Sequence, residues 1–175
     1  GCTTRGPSIP AAPEGSPVHS AAGRRRDVVI TVGGRSPLPA ATVARVARAV
    51  LATARRPVAR LQVTWLSRPA MQRLNREWKG HDCPTDVLSF ALPAPDGTIT
   101  GDVYICPAVA RQQARELGVP PREEAIRLVV HGALHVLGHD HPEGPARTRS
   151  AMWRAQERLV ARPQHAGQGF QSQRV

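Results

Sequence analysis

The chain has 175 residues and a formal net charge of +11, enough length for one domain with a full core. No apolar run is long enough to span a membrane, and the three cysteines, Cys2, Cys83 and Cys106, are scattered without a CxxC pair. Composition therefore offers no membrane-spanning helix, and the cysteines argue against a disulfide framework and for a reducing compartment.

Residues 1–26 are rich in Pro, Ala, Gly and Ser and show no periodicity, which predicts a disordered leader. The segment lacks the apolar stretch of a secretory signal. It bears arginines and few acids, so it is either a flexible tail in a cytoplasmic bacterial protein, a misassigned start, or an organelle transit segment. The folded domain is expected over 27–162, with a disordered tail over 163–175.

Asp27–Val32 reads as a short strand. Pro39–Ala54 reads as a helix with Val43, Val46, Ala47, Val50 and Ala54 on one face. Val58–Leu66 alternates Leu61, Val63 and Trp65 inward as a strand. Arg68–Trp78 is helical, Val87–Leu92 is a strand, Pro93–Thr100 is a turn and Gly101–Ile105 is a strand. Pro107–Leu117 is a helix that stops at Gly118. Pro121 opens a helix with Glu123 and Glu124 in its first turn, where the dipole favours acids. Its stripe of Ile126, Val129, Val130, Ala133 and Leu134 buries it and carries His131 and His135. Pro145–Ala161 is predicted as a final amphipathic helix. The class is α+β: a small sheet of about four strands packed with helices around a central metal-binding helix.

The run from His131 to His141 carries the chemistry. Residues four apart share a helix face about 6 Å apart along the axis, so His131 and His135 can point at one ion. Gly138 stands where the helix must end. The chain then doubles back, and His141 can approach from another side. His139 competes for the third place by continuing the spacing of four. On a straight helix, however, it would lie about 12 Å from His131, too far for zinc–nitrogen bonds of about 2 Å. Three protein ligands with one place open is the pattern of catalytic zinc. The spacing also fits the metzincin protease form H-E-x-x-H-x-x-G-x-x-H at every position but one: Gly132 stands where the protease carries its general base, glutamate.

Between Val28 and Arg76 there are nine arginines and no acid, and Lys79 is the only lysine. Arginine's planar fork suits phosphate oxygens. The surface is either solvated and reflects coding bias, or it serves a polyanion; beside a metal site, nucleic acid leads. Arg45, Arg48, Arg55, Arg56 and Arg60 would form a positive flank that tracks the backbone of a single strand. With few aromatics for stacking, sequence readout should be weak.

The run His131-Gly132-Ala133-Leu134-His135-Val136-Leu137-Gly138-His139-Asp140-His141 resembles the signature of the YbeY family of bacterial and organellar endoribonucleases. Two further stretches match: Leu74 to Phe90, containing Lys79-Gly80-His81-Asp82-Cys83-Pro84-Thr85-Asp86-Val87-Leu88-Ser89-Phe90, and Gly101 to Pro107. Met152 and Glu157 sit where the family has a methionine and a glutamate. The resemblance covers about Asp27 to Ala161. It implies a zincin-like fold and one Zn2+ per chain held by His131, His135 and His141. It also implies cleavage of single-stranded RNA, with a role in maturing the 3′ end of small-subunit (16S) ribosomal RNA and in ribosome quality control. The partners implied are ribosomal RNA and the small ribosomal subunit.

Two positions depart from the family pattern. Lys79 replaces an arginine expected to hold a phosphate; Arg76 can partly substitute for it. His139 replaces a tyrosine, and it either contacts RNA or faces solvent. Asp140 either orients a ligand imidazole or caps the turn. Asp86 either moves a proton or caps a strand start. Ser89 is expected on the strand beside the cleft, and His81 in a loop. The rival readings are a metzincin-like protease and a non-catalytic, zinc-stabilised, ribosome-associated RNA-binding protein.

Overall fold

The computed structural model describes residues 28–142 and 144–162. The expected leader and tail lie outside the described residues, as does Asp27. The elements are β1 (Val29–Gly34), α1 (Ala40–Leu51), β2 (Val58–Trp65), α2 (Arg68–Lys79), β3 (Val87–Pro93), β4 (Ile99–Ile105), α3 (Pro107–Leu117), α4 (Pro121–Val136) and α5 (Ala151–Val160). The four strands form one sheet in the order β1-β2-β4-β3. β1, β2 and β4 run parallel and β3 pairs antiparallel with β4. The expected class therefore stands: α+β, with a four-stranded mixed sheet and a buried helix.

Strand alternation sorts the core into two layers. Leu61, Val63 and Trp65 of β2, with Val103 and Ile105 of β4, are buried in the main cluster with α1, α4 and α5. Phe90 and Tyr104 pack with Leu88 and Met71 in a smaller cluster under α2. α4 touches α1, α3, α5, β3 and β4. That explains why eleven of its sixteen residues are buried. Such all-round burial holds the two histidines at its C-terminal end between layers that cannot shift independently.

Helix ends follow local chemistry. Ser67 caps α2 by accepting from the Ala70 N–H, and Gly80 closes it in the left-handed region at φ 73°. The final helix is shorter than its periodicity predicts. Gly144–Arg149 is a 3-10 turn, and Ser150 then takes extended backbone, its hydroxyl accepting from the Trp153 N–H to start α5 afresh. A residue that satisfies an orphan N–H in this way marks a helix start, so one predicted helix becomes a turn and a helix. The hairpin between β3 and β4 is also tighter than expected. Ala94 N–H donates to the Thr98 carbonyl, which lets pairing continue to Pro93 and resume at Ile99.

Gly132 sets how close α4 lies to the sheet. A Cβ there would fall 2.4 Å from a Val103 methyl and 3.0 Å from the Ser89 hydroxyl. Gly101 does the same from the sheet side, where a Cβ would fall 2.4 Å from Val136. Two missing side chains thus bring α4 into direct contact with β3 and β4.

Candidate metal centre

α4 ends in a left-handed turn. Gly138 has φ +83°, its N–H reaches the His135 carbonyl, and the His139 N–H reaches the Leu134 carbonyl. The reversal sends His139 outward, where it is exposed, and swings His141 back over the helix end. His135 Nε2 lies 3.0 Å from His131 Nε2, and His141 Nε2 lies 3.5 Å from it. The three ligand atoms all fall within 4.8 Å of one another. Two nitrogens on one tetrahedral zinc at about 2.05 Å are separated by about 3.3 Å, so the spacing suits a single ion.

The protons are arranged to match. His131 Nδ1 is 2.8 Å from Gln156 Oε1. The Gln156 amide donates its N–H to Glu157 Oε1 at 3.0 Å. A carboxylate can only accept, so the amide oxygen must be the end facing His131, and His131 carries its proton on Nδ1. His141 Nδ1 lies 3.1 Å from the Pro142 carbonyl, which likewise only accepts. The backbone at His139 favours the protonated form of the His135 ring. With the His131 and His141 ring protons drawn outward in this way, their Nε2 lone pairs face inward, the state a metal requires.

Electrostatics point the same way. Burial pushes His131 down to about 4, with the neighbouring His135, Arg147 and His141 adding to it and the Gln156 hydrogen bond opposing. Burial, then the His141 charge, also lowers His135. Both rings are thereby held neutral at pH 7, and metal ligands must be neutral. The cluster can bind a metal ion, and all-imidazole donors suit zinc.

Behind Gln156 stands a partly buried ionic group. Arg127 Nη1 and Nη2 each lie 2.8 Å from carboxylates of Glu124 and Glu123, and Nε lies 3.2 Å from Glu157. Arg127 therefore fixes Glu157, Glu157 fixes Gln156, and Gln156 fixes His131. Sequence reading passed over Gln156. Its signal was a polar residue on an apolar stripe: Met152, Gln156 and Leu159 are the buried positions of α5.

The remaining candidates fall as follows. Asp140 Oδ1 accepts from the His141 backbone N–H at 2.8 Å and so shapes the turn that carries His141. Asp86 accepts from Val87 N–H, Thr85 and Gln113, holding the start of β3. Ser89 lies on β3 against α4, next to Gly132. Lys79 is exposed at the last residue of α2. Arg76 is exposed and 3.5 Å from Asp82. Arg45 and Arg48 are exposed on α1. Arg55 and Arg56, with His139, line an open cavity beside the end of α4. His81 is not among the clustered histidines.

The family model described as Endoribonuclease YbeY matches residues 36–164. The chain belongs to the endoribonuclease YbeY family. It is similar to the Endoribonuclease YbeY of Alkalilimnicola ehrlichii, at 37% identity over 142 residues, covering 77% of this chain and 84% of the relative. It is similar to that of Persephonella marina at 46% identity over 85 residues, covering 46% of this chain. That second match spans only 56% of the relative's length. The solution structure of TM1509 from Thermotoga maritima superposes with a TM-score of 0.53 at 27% identity, covering 75% of this chain and 87% of that one. Membership bears on the protease form as well. Position 132 carries no side chain, and the sheet leaves no room for one.

Proposed function

We propose that the protein is a zinc-dependent endoribonuclease that cuts single-stranded RNA. Its substrate in this reading is the 3′ end of small-subunit ribosomal RNA, in maturation and ribosome quality control within the bacterial cytoplasm. The observation that carries the proposal is the convergence of three Nε2 atoms, with Gln156 and the Pro142 carbonyl taking the ring protons of His131 and His141. Relatives bearing the name Endoribonuclease YbeY support the reaction class. Among the described residues no helix is long and apolar enough to cross a membrane.

His131, His135 and His141 would hold the ion. When bound, zinc supplies a Lewis acid and brings the pKa of a water near 7. The chain's own groups do the rest. Gln156 keeps the His131 proton off the ligand nitrogen. Lys79 offers three N–H donors to a phosphate oxygen, though without arginine's fork. Arg76 can assist, because its exposed contact with Asp82 at 3.5 Å is weak in water. Asp140 holds the backbone that carries His141. The nucleophile is a water or the RNA's own 2′-hydroxyl.

Cleavage of labelled single-stranded RNA tests this. Chelation should abolish it, zinc should restore it, and His131→Ala should remove it. RNA binding that persists without any cleavage in the zinc-loaded protein would leave a non-catalytic ribosome-associated protein. Casein hydrolysis sensitive to His131→Ala would revive the protease.

A further inference from the structure

The turn that carries the third histidine also walls a cavity of about 1010 Å³. Arg55 and Arg56 enter it from the connection between α1 and β2, and Arg158 and Arg162 from the end of α5. These two segments are about a hundred positions apart in the chain, yet their arginines line one concavity. Among the described residues no aspartate or glutamate lines it. Among the described residues none of the four arginines is in an ion pair. Arg127, by contrast, is surrounded by three carboxylates. Gathering four like charges with no counter-charge works against the fold. The cluster therefore makes sense with an anion supplied from outside.

We propose that this cavity is a second contact for the substrate strand. It takes the phosphate backbone of single-stranded RNA some nucleotides from the cut, and Arg158 and Arg162 are binding residues alongside Arg55 and Arg56. The proposal rests on the reading of the metal centre as an RNA-cutting site. Three observations favour RNA as the occupant. Arginine's planar fork matches phosphate oxygens. The cavity wall includes Leu134, Gly138 and His139, which interleave with ligands His135 and His141, so a strand lying there is delivered to the centre. The buried lining is aliphatic, from Leu134, Leu159 and Ile99, and among the described residues no Phe, Tyr or Trp lines it, His139 being its one ring. That suits a contact that grips backbone without reading bases.

The test is fluorescence anisotropy of a labelled single-stranded RNA of about 20 nucleotides, long enough to fill more than one subsite. The intact protein is used in chelator, so nothing is cut and binding is read apart from cleavage. Arg158→Glu/Arg162→Glu and Arg55→Glu/Arg56→Glu are compared with Arg111→Glu/Arg115→Glu on the exposed face of α3, which changes net charge equally. Each cavity pair should weaken binding at least about tenfold and flatten the salt dependence by about one to two phosphate contacts, with the α3 pair changing affinity less than about threefold. Matching thermal melts confirm that the exposed substitutions leave the fold intact. Equal losses in all three variants would reduce the cavity to general charge and overturn the proposal. Wild-type affinity in the cavity variants would overturn it too. So would polyglutamate displacing RNA as well as unlabelled RNA of equal charge does, which would make the cavity a dock for an acidic protein. If cavity-dependent binding holds while the zinc-loaded wild type cuts no RNA, the groove stands and the nuclease reading fails.

Discussion

Two regions meet at the end of α4, and they are built on opposite principles. At the histidine centre, His131 is only 6% exposed and its proton is placed by Gln156, which Glu157 and Arg127 place in turn. In the cavity beside it, Arg55, Arg56, Arg158 and Arg162 are exposed and unpaired among the described residues. The first works by geometry around a buried His131, where a misplaced atom costs its full interaction. The second works by the number of charges in water, where each contributes little. Substitutions at the centre should therefore be steep and non-additive, and those in the cavity shallow and nearly additive.

The steepest break should come from Gly132→Glu, which restores the protease spelling. The new side chain meets Val103 at its first carbon, 2.4 Å away. Overpacking costs about 1–3 kcal/mol, and an unpaired buried carboxylate costs about 3–5 kcal/mol. The helix-propensity gain of about 1 kcal/mol on replacing glycine cannot offset that. Urea unfolding should show loss of most of the stability and no casein hydrolysis. A stably folded, proteolytic variant would refute the close contact of α4 with the sheet.

The metal-free protein should lose stability as pH falls. Folded His131 titrates at about 4, below the unfolded value of about 6.5. Between those values the unfolded chain holds a proton that the folded chain refuses. Stability is therefore complete above pH 6.5 and falls as pH drops toward 4, by about 3 kcal/mol from this residue. His135 is lowered too and adds in the same direction. Urea midpoints at pH 7, 5.5 and 4.5 measure it, and a flat profile would mean that His131 is not buried neutral.

Gln156→Leu keeps the volume and removes the acceptor for the His131 proton. Zinc affinity by competition with a chelating dye should fall about 10- to 100-fold, with the far-ultraviolet spectrum unchanged. Gln156→Glu should recover part of it, because a carboxylate still accepts from Nδ1–H. Unchanged affinity in Gln156→Leu would show that the His131 tautomer needs no partner.

The centre was more legible than its support. His131, His135 and His141 stand out because a spacing of four and a glycine stop are local facts, visible in eleven residues. The order of the elements was also readable from period and punctuation. The break at Ser150 was not, because an apolar period runs through it and only the hydroxyl-to-Trp153 bond reveals the new start. Gln156 was hidden for a different reason: its role depends on a partner 25 positions away. Arg158 and Arg162 were hidden likewise, since the cavity exists only once α5 is folded beside the connection from α1 to β2. Long-range pairings of this kind leave no periodic trace.

Lys79 sharpens the comparison with the smallest expected effect. By exposure it belongs with the shallow, solvated charges, yet the family resemblance gives its position a part in catalysis. An ammonium in water gains little from one phosphate, whereas a guanidinium grips two oxygens at once. Lys79→Arg should therefore raise kcat/KM for single-stranded RNA by about threefold, less than about 1 kcal/mol of transition-state stabilisation. Lys79→Gln should lower it by a similar or larger factor, and both differences should shrink as salt is raised. The split between constants decides where the residue acts. A change confined to KM would place Lys79 with the arginines that hold the strand, and a change in kcat would place it at the scissile phosphate. If Lys79→Gln cleaves as fast as the wild type at low salt, Lys79 touches no phosphate in the reaction, and Arg76 is the cation left at that end of α2.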